Sequence, residues 1–93
     1  MIPPGERAAE IEGRLRAVLD PTRLRVLDDS QRHAGHAGAR DGRGHYELEI
    51  ESAAFAGHGL LARHRMVYAA LGELMQTDIH ALAIRARAPG EGC

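Results

Sequence analysis

Residues 55–84 read FAGHGLLARHRMVYAALGELMQTDIHALAI, and the fold turns on this stretch. Apolar side chains return at Leu61, Val67, Tyr68, Leu71, Leu74 and Met75, with His64 and Arg65 as the one polar step. That spacing predicts an amphipathic helix over about 60–76. Thr77-Asp78 breaks the pattern, and Ile79 to Ala86 changes to a short run suited to a strand with His80 near its beginning. Alternation puts His80 on the face of Leu82 and Ile84.

Upstream, Ser52 to Leu60 reads as a connector with Phe55 as an apolar anchor and Gly57 and Gly59 as turn points. His45 to Glu51 alternates cleanly, with Tyr46, Leu48 and Ile50 on one face and three glutamates on the other, which predicts a half-buried strand. Residues 31–43 carry no large apolar side chain and three glycines, so they read as an exposed loop longer than a usual hairpin connection. A loop of that length more often serves function than packing. Thr22 to Ser30 reads as a strand, with Leu24 and Val26 on one face and Asp28-Asp29-Ser30 as turn chemistry. Before it, Ala8, Ile11, Leu15, Val18 and Leu19 make one stripe of a helix over 6–19, ended by Asp20-Pro21.

The order is therefore α-β-β-α-β, and three strands with one charged face each require both helices on the same side. The expectation is a two-layer α+β sandwich. A hairpin joins the first two strands, and the helical crossover lets the third lie parallel to the second. The open face would carry Arg25, Glu47, Glu49, Arg85 and Arg87, charges able to pair across strands.

Ninety-three residues suit a single domain, here 1–93 with an ordered core of about 6–88 and a loose tail at 89–93. Tryptophan is absent and phenylalanine occurs once, so the core must be aliphatic. A net charge of −1 gives no general case for nucleic acid. Membrane-length apolar runs and the apolar block of a secretory leader are absent from the sequence, so a soluble cytoplasmic chain is expected. Cys93, the single cysteine, can make neither an internal disulfide nor a thiolate metal site alone. Zinc-type Cys/His spacing, a phosphate-binding glycine loop opening a helix, and a Ser/His/Asp arrangement are all missing. The reading is of a protein that is not an enzyme.

Histidine is what stands out: five of six fall between positions 33 and 64. His80, outside that cluster, reads as a partly exposed imidazole at the strand's entry edge, either a candidate for chemistry or a residue capping the turn. His64 shares the helix stripe and reads as a packed, hydrogen-bonded residue. Arg63 and Arg65 point to different sides, available to an acidic surface or a phosphate or simply solvated. His45 reads as a hairpin-base residue, and His58 as a turn residue.

The motifs R-H-R-x-V-Y-x-x-L at 63–71, F-x-G just before it, I-H-A-L-A-I at 79–84, D-D-S at 28–30, H-A-G-H at 33–36 and G-H-Y at 44–46 resemble the BolA family over roughly residues 8–89. The resemblance implies a KH-like fold of the second type with a three-stranded mixed sheet. It also implies that His80, the histidine of I-H-A-L, ligates a [2Fe-2S] cluster shared with a monothiol glutaredoxin. His33, in D-D-S-x-x-H-A, matches the position of the second ligand, and His36 is the alternative three residues on. Two imidazoles cannot hold such a cluster, whose irons take four protein-side ligands. The remaining thiolates would come from a glutaredoxin cysteine and glutathione, so no cofactor is expected on the isolated chain, expected to be a monomer. The implied contact surface takes in Arg63, His64, Arg65 and Ala81, and the role would be cluster assembly and delivery or iron and stress signalling. A metal-free complex with the glutaredoxin is a third mode within the resemblance.

The family also implies an alternative, a DNA-binding transcriptional regulator using Arg63, Arg65, Arg85 and Arg87. Three glutamates on one strand and the scarcity of stacking aromatics speak against it. The G-x-x-G at 35–38 falls in a strand–strand loop, whereas nucleic-acid-binding KH domains use it to clamp a backbone, so it is read as coincidence.

Overall fold

The computed structural model describes residues 2–30 and 42–91. A short 3-10 turn, Pro4–Glu6, opens helix α1 (Arg7–Leu19). Strands β1 (Arg23–Asp28) and β2 (Gly44–Glu51) follow, then α2 (Leu60–Leu71), a one-turn helix α3 (Leu74–Thr77) and β3 (Ile79–Arg87). The strand order is β1-β2-β3, antiparallel then parallel, so β2 is the central strand. This is the two-layer α+β arrangement with a mixed sheet that the KH-like expectation required.

Helix α1 buries Arg7, Ile11, Leu15 and Leu19, a single row at four-residue steps. Val18, expected in that stripe, is 61% exposed because it belongs to the neighbouring row with Arg14. Asp20 ends the helix in the left-handed region (φ 44°), and Pro21 prevents continuation. Strand β1 is shorter than the expected 22–30, although Thr22 and Asp29 still donate backbone hydrogen bonds to Glu51 and His45 at 2.8 Å.

The second helix departs more. A continuous helix over 60–76 was expected, but α2 stops at Gly72, whose φ of 56° and ψ of −130° suit only glycine. Arg14 Nη1 then donates to the carbonyl of Leu71 at 3.1 Å, satisfying an acceptor at the helix end. The buried face is Val67, Ala70, Leu71 and Leu74. Leu61 and Tyr68, expected to face the core, are 64% and 41% exposed. The first turn of α2 is held to the sheet instead through Arg63, whose Nη1 donates to the Ala86 carbonyl of β3 at 3.4 Å.

The core joins the α1 row to Tyr46, Leu48 and Ile50 of β2 and to fully buried Phe55. Ser52 holds Phe55 in place: its hydroxyl donates to the carbonyl of Leu19 and accepts from Ala54 N–H at 3.1 Å. On the open face Glu49 stands between Arg25 (3.7 Å) and Arg85 (3.9 Å), the cross-strand pairing expected from alternation. At the C-terminal end, the segment expected to be loose turns back at Glu91, which accepts from Ala88 N–H at 2.9 Å and binds Arg63.

Candidate functional site

Three chain segments meet where β2 and β3 begin. Gly44 N–H donates to Asp78 carbonyl at 2.9 Å, Asp29 N–H to His45 carbonyl at 2.8 Å, and His45 N–H to the Ser30 hydroxyl at 3.1 Å. The register Gly44↔Ile79 followed by His45↔Ala81 leaves one extra residue, His80, on β3. This bulge resets the alternation. Ile79 rather than His80 turns into the core, at 1% exposed, so the expected placement of His80 on the face of Leu82 and Ile84 is corrected. His80 is exposed, and its ring stands 5.1 Å from that of buried His45.

A buried ion pair underlies the site. Asp78 accepts from Arg7 Nε at 3.0 Å, from Ile2 N–H at 2.8 Å and from the Thr77 hydroxyl at 2.6 Å. Burial pushes its carboxyl up, but these donors, Thr77 and Ile2 ahead of Arg7, outweigh it and hold the group below its ordinary value. Tyr46 moves the other way: its phenol is raised, first by burial and then by the charge of Asp28. Gly44 lies under that ring, with no room for a side chain, since a Cβ there would meet Tyr46 Cε2 at 2.6 Å.

His80 Nδ1 lies 3.1 Å from Arg43 Nη2, while Arg43 Nη1 reaches the Gln76 carbonyl at 3.5 Å. Arg43 and His45 drew no attention as neighbours of His80 in the sequence, because only the strand register brings them together. His33 and His36 lie outside the described residues, but Ser30, three positions before His33, is fixed against His45. Among the described residues no group of three or more His, Cys, Asp or Glu side chains could hold a metal. His80 thus places one exposed imidazole at the start of β3.

The other expected contact residues separate. Ala81 is exposed beside His80. Arg63 is engaged within the chain: it binds Glu91 at 2.6 and 2.7 Å and donates to the His58 carbonyl at 2.7 Å. His64 is half-buried, and its Nε2 has no hydrogen-bond partner among the described residues, against the expectation of a hydrogen-bonded ring. Arg65 is exposed and makes no ion pair with a described residue. Arg85 and Arg87 face Glu49 at 3.9 Å and Glu51 at 3.0 Å. Glu51 is held below its ordinary value, first by the Thr22 hydroxyl and then, against burial, by Arg87.

Residues 15–91 match the model of a family described as BolA-like protein. The chain is 42% identical over 92 residues to "SufE-like protein 1, chloroplastic/mitochondrial" of Arabidopsis thaliana, covering 94% of this chain and 25% of that protein. It is 42% identical over 74 residues to "DNA-binding transcriptional regulator BolA" of Escherichia coli, covering 80% of this chain and 68% of that one. Among solved structures, the BolA domain of SufE1 from Arabidopsis thaliana superposes with a TM-score of 0.83 at 40% identity, over 95% of this chain and 98% of that one. The chain thus spans about a quarter of its SufE-like relative and nearly the whole of that relative's BolA domain.

Proposed function

This chain belongs to the BolA-like family, and from that premise we propose that it binds a monothiol glutaredoxin and shares a [2Fe-2S] cluster with it. It would act in cluster assembly and delivery or in iron and stress signalling, as a binding protein without catalysis of its own. The observation that carries the reading is the exposed imidazole of His80 at the start of β3, beside the anchored beginning of the histidine-rich segment. In this reading His80 supplies one ligand and His33, or His36 in its place, a second. A glutaredoxin cysteine and glutathione supply the thiolates.

When bound, a cluster with imidazole in place of thiolate has a raised potential and an acid-sensitive ligand set. This chain's own contribution is to hold the imidazole. The Gly44–Asp78 hydrogen bond and the Arg7–Asp78 pair fix the chain two residues before it. Alone, the chain is proposed to be a cytoplasmic monomer without cofactor.

The second reading, DNA binding, draws on the name of the Escherichia coli relative and on the arginines of α2 and β3. Three of its four candidate cations, Arg63, Arg85 and Arg87, already face carboxylates, which weakens it. DNA affinity made of phosphate contacts falls with salt, with a log–log slope of about −0.9 per contact.

The test is reconstitution with a monothiol glutaredoxin, glutathione, iron and sulfide, followed by visible absorption and circular dichroism. A spectrum distinct from that of the glutaredoxin alone, lost in His80→Ala, is expected. Retention in His33→Ala assigns the second position to His36. A spectrum identical to that of glutaredoxin alone removes the cluster reading.

A further inference from the structure

Arg43 already occupies one of the two ring nitrogens through which His80 could bind a metal. Its Nη2 stands 3.1 Å from His80 Nδ1. A guanidinium donates and never accepts, and it stays charged at any pH at which the protein is folded. Nδ1 is therefore the accepting nitrogen, and the neutral ring carries its proton on Nε2. Neither nitrogen is then ready to ligate. Binding through Nδ1 requires the Arg43 hydrogen bond to break. Binding through Nε2 requires the proton to move to Nδ1, where it would face an N–H of the guanidinium.

The joint on which Arg43 is mounted is itself constrained. Gly42 before it has φ 80°, a conformation suited to glycine, and Gly44 after it has no room for a side chain beneath Tyr46. Gly44 is fixed to Asp78, whereas Gly42 is exposed and ends the segment that carries His33 and His36.

We propose that Arg43 is a positioning residue that holds His80 in a non-ligating tautomer in the free chain and gives way when a metal takes the imidazole. This deepens the cluster-sharing reading and rests on it for its biological purpose, but the contact is a property of the chain alone.

The experiment uses zinc, a metal that imidazole binds well, titrated by calorimetry into the wild type, Arg43→Ala, His80→Ala and the double variant. Arg43 is half-buried and its removal leaves the core untouched. Arg43→Ala is expected to bind zinc on the order of tenfold more tightly, the scale of one charge-assisted hydrogen bond. The gain is expected to vanish in the double variant. Long-range proton–nitrogen spectra should show His80 protonated on Nε2 in the wild type and a tautomer mixture in Arg43→Ala. Equal zinc affinities, a gain that survives loss of His80, or an Nδ1–H tautomer in the wild type overturns the proposal. Since no glutaredoxin is present, failure here is separate from failure of the shared cluster.

Discussion

Arg63 and Glu91 close a two-point ion pair, with Nη1 and Nη2 at 2.6 and 2.7 Å from the two carboxylate oxygens. It fastens the first turn of α2 to the segment that follows β3. With help from Ala88 N–H, it holds the Glu91 carboxyl down at about 2, against an ordinary 4.5. A carboxylate whose folded value is depressed adds stability above its unfolded value, and that stability is lost as pH falls through the folded one. Glu91→Gln is therefore expected to lower Tm at neutral pH. The gap from the wild type should close as pH falls from 4.5 to about 2. A gap that stays constant across that window assigns the stabilisation to something other than the ion pair.

The Arg7–Asp78 pair is unequal in its two halves. Both side chains are at most 4% exposed. Removing Asp78 leaves a buried guanidinium whose Nη2 already has no hydrogen-bond partner among the described residues. Removing Arg7 leaves a carboxylate still held by Thr77 and the N–H of Ile2. Asp78→Ala is thus expected to cost about 3–5 kcal/mol, as for breaking a buried pair, and Arg7→Met less. Urea denaturation of the two variants checks the order, and equal losses would show that Thr77 and Ile2 contribute nothing without Arg7.

Gly44→Ala tests the packing beneath the site. The added Cβ would lie 2.6 Å from Tyr46 Cε2 and 2.7 Å from its hydroxyl, inside any contact a real Cβ makes. Tyr46 is buried, so its ring has little room to retreat. The expected cost is about 1–3 kcal/mol, as for overpacking. Because Gly44 N–H holds Asp78, amide shifts should concentrate at Asp78 to Ala81 and at Arg43. Shifts confined to Tyr46 would mean that the strain is absorbed before it reaches His80.

Alternation and helical spacing were enough to read the α-β-β-α-β order and the charged open face, because a two-residue or 3.6-residue period is local information; the mixed sheet came from the crossover connection and the family resemblance. Failures came where a single residue breaks the period. Gly72 stops α2 because its backbone takes a conformation closed to other residues, and the apolar spacing runs on through Leu74 and Met75 unaware of it. The bulge at His80 is a property of the β2–β3 pairing, so counting along one strand put the ring on the wrong face. Arg43 and His45 come to His80 only through that pairing, and Arg7 reaches Asp78 from 71 positions before it. His80 itself was legible as a candidate from its motif, while its hydrogen bond to Arg43 was not.

His64 is the residue where stability and binding should part. Its Nε2 is buried with no hydrogen-bond partner among the described residues, and such a group costs about 1–3 kcal/mol in desolvation. A protein keeps an unsatisfied buried nitrogen at a cost to its own stability, which calls for a reason outside packing. His64 lies between Arg63, committed to Glu91, and exposed Arg65, on the helix start that the family resemblance assigns to the glutaredoxin surface. His64→Leu fills the same space without the polar atom, so it is expected to match or exceed wild-type stability, by up to about 1 kcal/mol. If the proposed partnership holds, the same variant should bind a monothiol glutaredoxin several-fold more weakly in a surface-based binding assay. Raised stability with unchanged binding would take His64 off the partner surface and leave Arg65 and Ala81 as its candidates. Lowered stability would show that the nitrogen is satisfied in solution, and the packing role read from the helix stripe would then be the correct one.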